Sequence, residues 1–211
     1  MRTKQFLLLL AFSAIIFTYS CTKEHTSIAI PTATGKAYDL KTDMRKLWED
    51  HVTWTRNVIC GLVDGLPGTD QALSRLLQNQ DDIGNAIKPY YGDDAGKQLS
   101  TLLRTHIAIS ADVVNAAKVG DNAKLADANT RWYANGDSIA VFLGNANPYL
   151  NKDDMKNMMH DHLKLTTDEA VARINKDYAA DIANYDKVHN EILQMADMIS
   201  DAIIKQFPNK F

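Results

Sequence analysis

The chain has 211 residues, of which 45% are hydrophobic and 23% charged, and its formal net charge is −3. These values suit one globular domain, and the lack of any Lys/Arg-rich run excludes an electrostatic nucleic-acid binder. Only five prolines and ten glycines occur, mostly at segment boundaries, which favours long helices over many short strands.

Residues 1–20 read as an export signal. Arg2 and Lys4 precede an apolar run from Phe6 to Phe17, too short for a comfortable membrane span. Thr18-Tyr19-Ser20-Cys21 follows, and a small residue directly before the cysteine resembles the cleavage box of bacterial lipoproteins. In that family the cysteine becomes the lipid-modified first residue. Tyr19 departs from the small residue usual there, and an ordinary secretory signal with an incidental cysteine is the alternative. Without Arg2 and Lys4 the net charge is −5. Residues 21–41 are rich in Thr, Ser, Ala and Gly, lack helical periodicity and read as a flexible tether that includes His25. Cys60, in the run Val58-Ile59-Cys60-Gly61-Leu62, reads as a small buried hydrophobe.

Residues 42–211 form the expected domain, an all-α bundle of six helices. Thr42 or Asp43 caps a first helix that runs to about Val63, before the breaker Asp64-Gly65-Leu66-Pro67-Gly68. A second runs from Asp70 to Ile87, ahead of Lys88-Pro89. A third runs from Asp93 to Val119, with Gly120 after it. Asp121 caps a fourth that ends near Ala146, and Asn151–Asp154 cap a fifth. Asn175-Lys176-Asp177 is a weak break before the sixth, which ends near Gln206.

Three stretches repeat one pattern at intervals of 55 and 56 residues: Leu47-Trp48-x-x-His51-Val52-x-Trp54-Thr55, Leu102-Leu103-x-x-His106-Ile107-x-Ile109-Ser110 and Met158-Met159-x-x-His162-Leu163-x-Leu165-Thr166. The spacing places each histidine and the hydroxyl four residues on along the buried stripe of its helix. The even helices share Asn-x-Asp-x-aliphatic at Asn79, Asn135 and Asn184. The unit is thus a helical hairpin used three times, with His on the rising helix and Asn on the falling one. His106 and Asn135 stand at nearly equal height about Gly120. In the third hairpin Asn184 comes too early, and His189 or Asp186 is nearer the level of His162.

Two chemistries suit this pattern. In one, Thr55, Ser110 and Thr166 hydrogen-bond buried imidazoles, with Asn79, Asn135 and Asn184 completing a structural layer. In the other, His51, His106 and His162 converge with Glu169 on a transition metal, and hydrolytic or redox chemistry follows. Glu169 stands where the other two repeats have Val58 and Val113, so it needs a partner. Arg56 can bind an anion or pair with Asp81 or Asp82. No Glu-x-x-His pair, phosphate loop, nucleophile elbow or paired-Cys zinc motif occurs.

Taken together, W-x-x-H-V-T-W-T-R (48–56), N-x-x-D-I-G-N-A-I-x-P-Y-Y-G (79–92), R-W-Y-A-N-x-D-x-I (131–139), H-L-x-L-T (162–166) and I-x-K-Q-F-P (203–208) resemble an uncharacterised family of bacterial all-helical proteins. The chain looks like a Bacteroidetes-type lipoprotein member. The resemblance spans nearly all of the mature chain and implies a single domain, but no reaction. The sequence-level expectation is a non-enzymatic lipoprotein of the cell envelope, held at the outer membrane through Cys21. Its bundle would bind a small ligand or a protein partner and no nucleic acid. Either face of the membrane fits.

Overall fold

The computed structural model describes residues 35–211, so the leader, Cys21, His25 and most of the tether lie outside the described residues. Those residues form an all-α bundle: α1 (Gly35–Asp64), α2 (Thr69–Tyr91), α3 (Asp93–Val119), α4 (Asn122–Ala146), α5 (Lys152–Ile174) and α6 (Tyr178–Gln206), then a single 3₁₀ turn (Pro208–Lys210).

The ends of these helices follow local chemistry. The Asp121 side chain accepts from Lys124 N–H at the start of α4, and Asn151 accepts from Asp153 and Asp154 N–H at the start of α5. Two boundaries differ from the sequence reading. The first helix begins at Gly35, so residues 35–41 are helix and not tether. Ala37 and Leu40 are buried there and extend the stripe of Met44, Trp48 and His51; packing decides what periodicity left unmarked. The second helix continues through Pro89 to Tyr91. Its last turn is held from outside, by Tyr91 against the ring of Phe207 and by the Tyr91 hydroxyl donating to Gln206 Oε1 at 2.9 Å.

The weak break is a true turn. Lys176 takes a left-handed conformation (φ 61°), and Asp177 caps α6 by accepting from Ala180 N–H.

Each helix packs on the next and α1 packs on α6, which closes the ring; α1, α3 and α5 also touch one another pairwise. The histidine-bearing helices therefore meet along the axis. At one end Lys118 (α3) donates to Leu62 O (α1) at 2.7 Å, and Arg173 (α5) pairs with Asp64 (α1). At the other, Asn147 Nδ2 donates to Tyr91 Oη at 2.9 Å and Gln206 Nε2 to Ala146 O at 3.1 Å. Odd helices thus end together, as do even helices. The main apolar core, with Trp48, Ile83, Leu103, Ile139, Leu163 and Ile192 among its members, draws on all six.

Gly84 and Gly96 let α2 and α3 approach closely. A Cβ on Gly84 would stand 2.5 Å from Gly96 O, and one on Gly96 2.6 Å from Gly84 O.

Candidate functional site

His51, His106 and His162 are all buried, on the three helices that meet at the axis. The rings of His51 and His162 lie 5.8 Å apart, and each imidazole is in electrostatic reach of the other two. The inward-facing stripe read from the sequence is therefore present, but its partners differ from those expected.

The hydroxyls do not bind the rings. Thr55 Oγ1 donates to His51 O at 2.7 Å, Thr166 Oγ1 to His162 O at 2.9 Å, and Ser110 Oγ to Ile107 O at 2.8 Å. A Ser or Thr inside a helix commonly turns back to the preceding turn in this way.

Each ring instead faces a polar side chain 29 residues on, from the even helix of its own hairpin. His106 Nδ1 bonds Asn135 Oδ1 at 2.8 Å and His162 Nδ1 bonds Glu191 Oε2 at 2.8 Å. His51 faces Gln80. Asn135 is thus the partner expected, whereas Asn79 and Asn184 are not. Asn79 Nδ2 donates to Leu47 O at 2.9 Å, beside Gln80, and Asn184 Nδ2 donates to Asp168 O at 3.1 Å. Neither His189 nor Asp186 meets His162: His189 Nε2 pairs with Glu49 Oε1 at 3.1 Å. A constant 29-residue offset thus relates each histidine to its partner, and it is present in the sequence although the partner residue type changes from Gln to Asn to Glu.

The three units are not equally closed. In the second, Trp132 Nε1–H donates to His106 Nε2 at 3.0 Å, so Nδ1 carries the ring proton and donates to Asn135 Oδ1. Asn135 Nδ2 in turn donates to Leu102 O at 3.2 Å. In the first, His51 Nδ1, Trp48 Nε1 and Gln80 Oε1 are buried without a hydrogen-bond partner, and in the third so is Glu191 Oε1. Burial, reinforced by the like charge that the adjacent imidazoles would share if protonated together, pushes His51 far below the ordinary imidazole range and His106 down to about 3.

Glu169 does not join this layer. It is 1% exposed, and Arg56 Nη1 donates to its Oε1 at 2.7 Å. The same guanidinium holds the fully buried Asp181 through both nitrogens, at 2.8 and 3.0 Å, and lies 4.8 Å from the Tyr185 ring centre. Arg173 Nη1 donates at 3.2 Å to Asp181 Oδ2, the oxygen that also accepts from Arg56 Nη2, and links it to Asp64. Arg56 therefore pairs with neither Asp81 nor Asp82; Arg104 takes Asp81, and Arg75 lies near Asp82. Burial, only partly offset by Arg56, pushes the Glu169 carboxyl up to about 7. Burial opposes the charge on Arg56 as well, but bonds to Asp181 and the charge of Glu169 hold it protonated beyond its usual range. Asp181 carried a signal: it shares a stripe with Tyr185, Val188 and Ile192. Arg173 carried none. Cys60 is free and half-buried, and burial raises its thiol.

Among the described residues, no group of three or more His, Cys, Asp or Glu side chains is placed to share a metal ion. The postulated set is divided: both nitrogens of His106 are engaged, and Glu169 belongs to the ion network. Comparison with protein-family models, curated proteins and solved structures gave no match.

Proposed function

We propose that the chain is a lipid-anchored protein of the cell envelope, held at the outer membrane through Cys21, whose bundle is a non-enzymatic binding module for a protein or small ligand. The resemblance to the uncharacterised bacterial family supports a single-domain module of this kind and adds no reaction. The polar layer supports the reading as well, because most of its donors and acceptors are spent on bonds that set helix against helix. No helix among the described residues is long and apolar enough to cross a membrane.

One observation carries the binding role. The tether joins the bundle at Gly35, where α1 begins. The far end, where the odd helices finish, displays Leu66, Val119 at 74% exposure, Tyr178 at 49% and Ile182 at 57%, whereas the end where α1 begins exposes Tyr38 and Tyr149. Single exposed apolar residues are ordinary; four at one end support a surface that a partner covers.

A photo-crosslinker placed at Val119 or Ile182 in cells tests the role, with Thr101 on the flank of α3 as control. Discrete adducts at the end positions and none at Thr101 are expected; equal labelling at all three overturns the reading. Globomycin treatment tests the anchor, through accumulation of the unprocessed precursor. A metal-binding bundle is the alternative, and elemental analysis of protein purified without chelators decides it.

A further inference from the structure

The histidine layer has one property that a register-setting layer does not need. Three protonatable rings occupy it and only one anion does. Around His51, α2 contributes the uncharged Asn79 and Gln80, α3 contributes His106, α5 contributes His162, and α6 contributes Glu191 on the far side of His162. Around His106, α4 contributes only the uncharged Trp132 and Asn135. Glu169, farther along α5, is within electrostatic reach of His162 but is committed to Arg56, whose charge it balances.

The layer can hold one positive charge, balanced by Glu191 at 2.8 Å from His162. A second proton has no counter-charge. On His106 it must go to Nε2, the atom that accepts from Trp132, and would set two N–H groups against each other. On His51 it faces a ring 5.8 Å away in the buried core, where like charges repel more strongly than in water. Both rings belong to the helices that close the axis.

We infer that the layer is a proton-operated lock: it closes the bundle around at most one charge, and protons taken up by His51 and His106 drive α1, α3 and α5 apart. The device is independent of what the bundle binds. Opening exposes the apolar core while the helices, whose backbone bonds are local, persist.

Acid titration of the full chain tests it, with near-UV circular dichroism and dye binding reporting packing and far-UV circular dichroism reporting helix. Packing is expected to fail below pH 6.5 while helix is retained. His51→Gln and His106→Gln each remove one proton from the transition, so the opening constant of each variant rises about ten-fold less per pH unit than that of the wild type. Glu191→Gln removes the counter-charge and moves the midpoint to higher pH. If the histidine variants keep the wild-type pH dependence, or Glu191→Gln leaves the midpoint in place, the lock does not exist. Should a histidine variant fail to fold, the Glu191→Gln midpoint decides alone.

Discussion

Trp132 and His106 form a one-way hydrogen bond: the indole Nε1–H donates at 3.0 Å to His106 Nε2, which fixes that ring as the neutral Nδ1–H tautomer. Two helices, α3 and α4, are held in register by an arrangement with no unsatisfied member. Trp132→Phe keeps most of the apolar surface and orphans a buried nitrogen. The expected loss is about 2 kcal/mol in urea denaturation at pH 7. A change below about 0.5 kcal/mol would mean that the bond contributes nothing net.

Among the described residues, Arg56 is the only side chain that bonds both Glu169 and Asp181. Arg56→Met leaves two buried carboxylates with only Arg173 at the rim, and a loss of about 3–5 kcal/mol is expected. Protonating the carboxylates relieves the repulsion, so the deficit against wild type should shrink as pH falls from 8 to 5. A deficit that is constant with pH would show that the loss is packing and not charge.

Glu169 gives a second dependence on pH. Its carboxyl is near 7 when folded, against about 4.5 ordinarily, so the folded chain binds this proton more tightly. The resulting stabilisation is full below the unfolded value and is lost as pH rises through 7. This sign is opposite to that of His51 and His106, whose contribution is full above about 6.5 and lost on acidification. Glu169→Gln should therefore gain stability relative to wild type as pH is raised from 4.5 to 7. Parallel stability curves would place Glu169 at an ordinary pKa.

Lys176 holds φ at 61° without any side-chain bond to reward it. Lys176→Gly removes the steric penalty of that conformation, and a gain of about 0.5–1 kcal/mol is expected in thermal or chemical unfolding. A loss would show that the lysine side chain matters to the turn.

Gly84→Ala sets helix propensity against packing. Alanine gains about 1 kcal/mol as a helix former. Its Cβ would stand 2.5 Å from the backbone oxygen of Gly96, an atom that cannot swing aside. Overpacking of this kind costs about 1–3 kcal/mol, so net destabilisation is expected. A more stable variant would mean that α2 and α3 separate freely.

The helices, their order and most of their ends were readable, because caps such as Asp121 and Asn151 and breakers such as Gly120 act within a few residues. The start of α1 was not, since Ala37 and Leu40 earn their place only through distant neighbours. The inward direction of His51, His106 and His162 follows from helical periodicity. Their partners do not: Gln80 and Glu191 were missed because which residue of an even helix stands opposite a ring depends on how two helices slide together. Arg56, Glu169 and Asp181 lie on three helices and are up to 125 positions apart, and no local pattern joins them.

Period and capping thus determined six rods and the buried stripe of each, because both act within one helix. Closure of the ring by α1 against α6, and the sorting of five buried acids and imidazoles into separate layers, were decided by the tertiary structure. A charge in a low-dielectric interior is set by whatever stands within a few ångströms of it, and only folding brings those neighbours there.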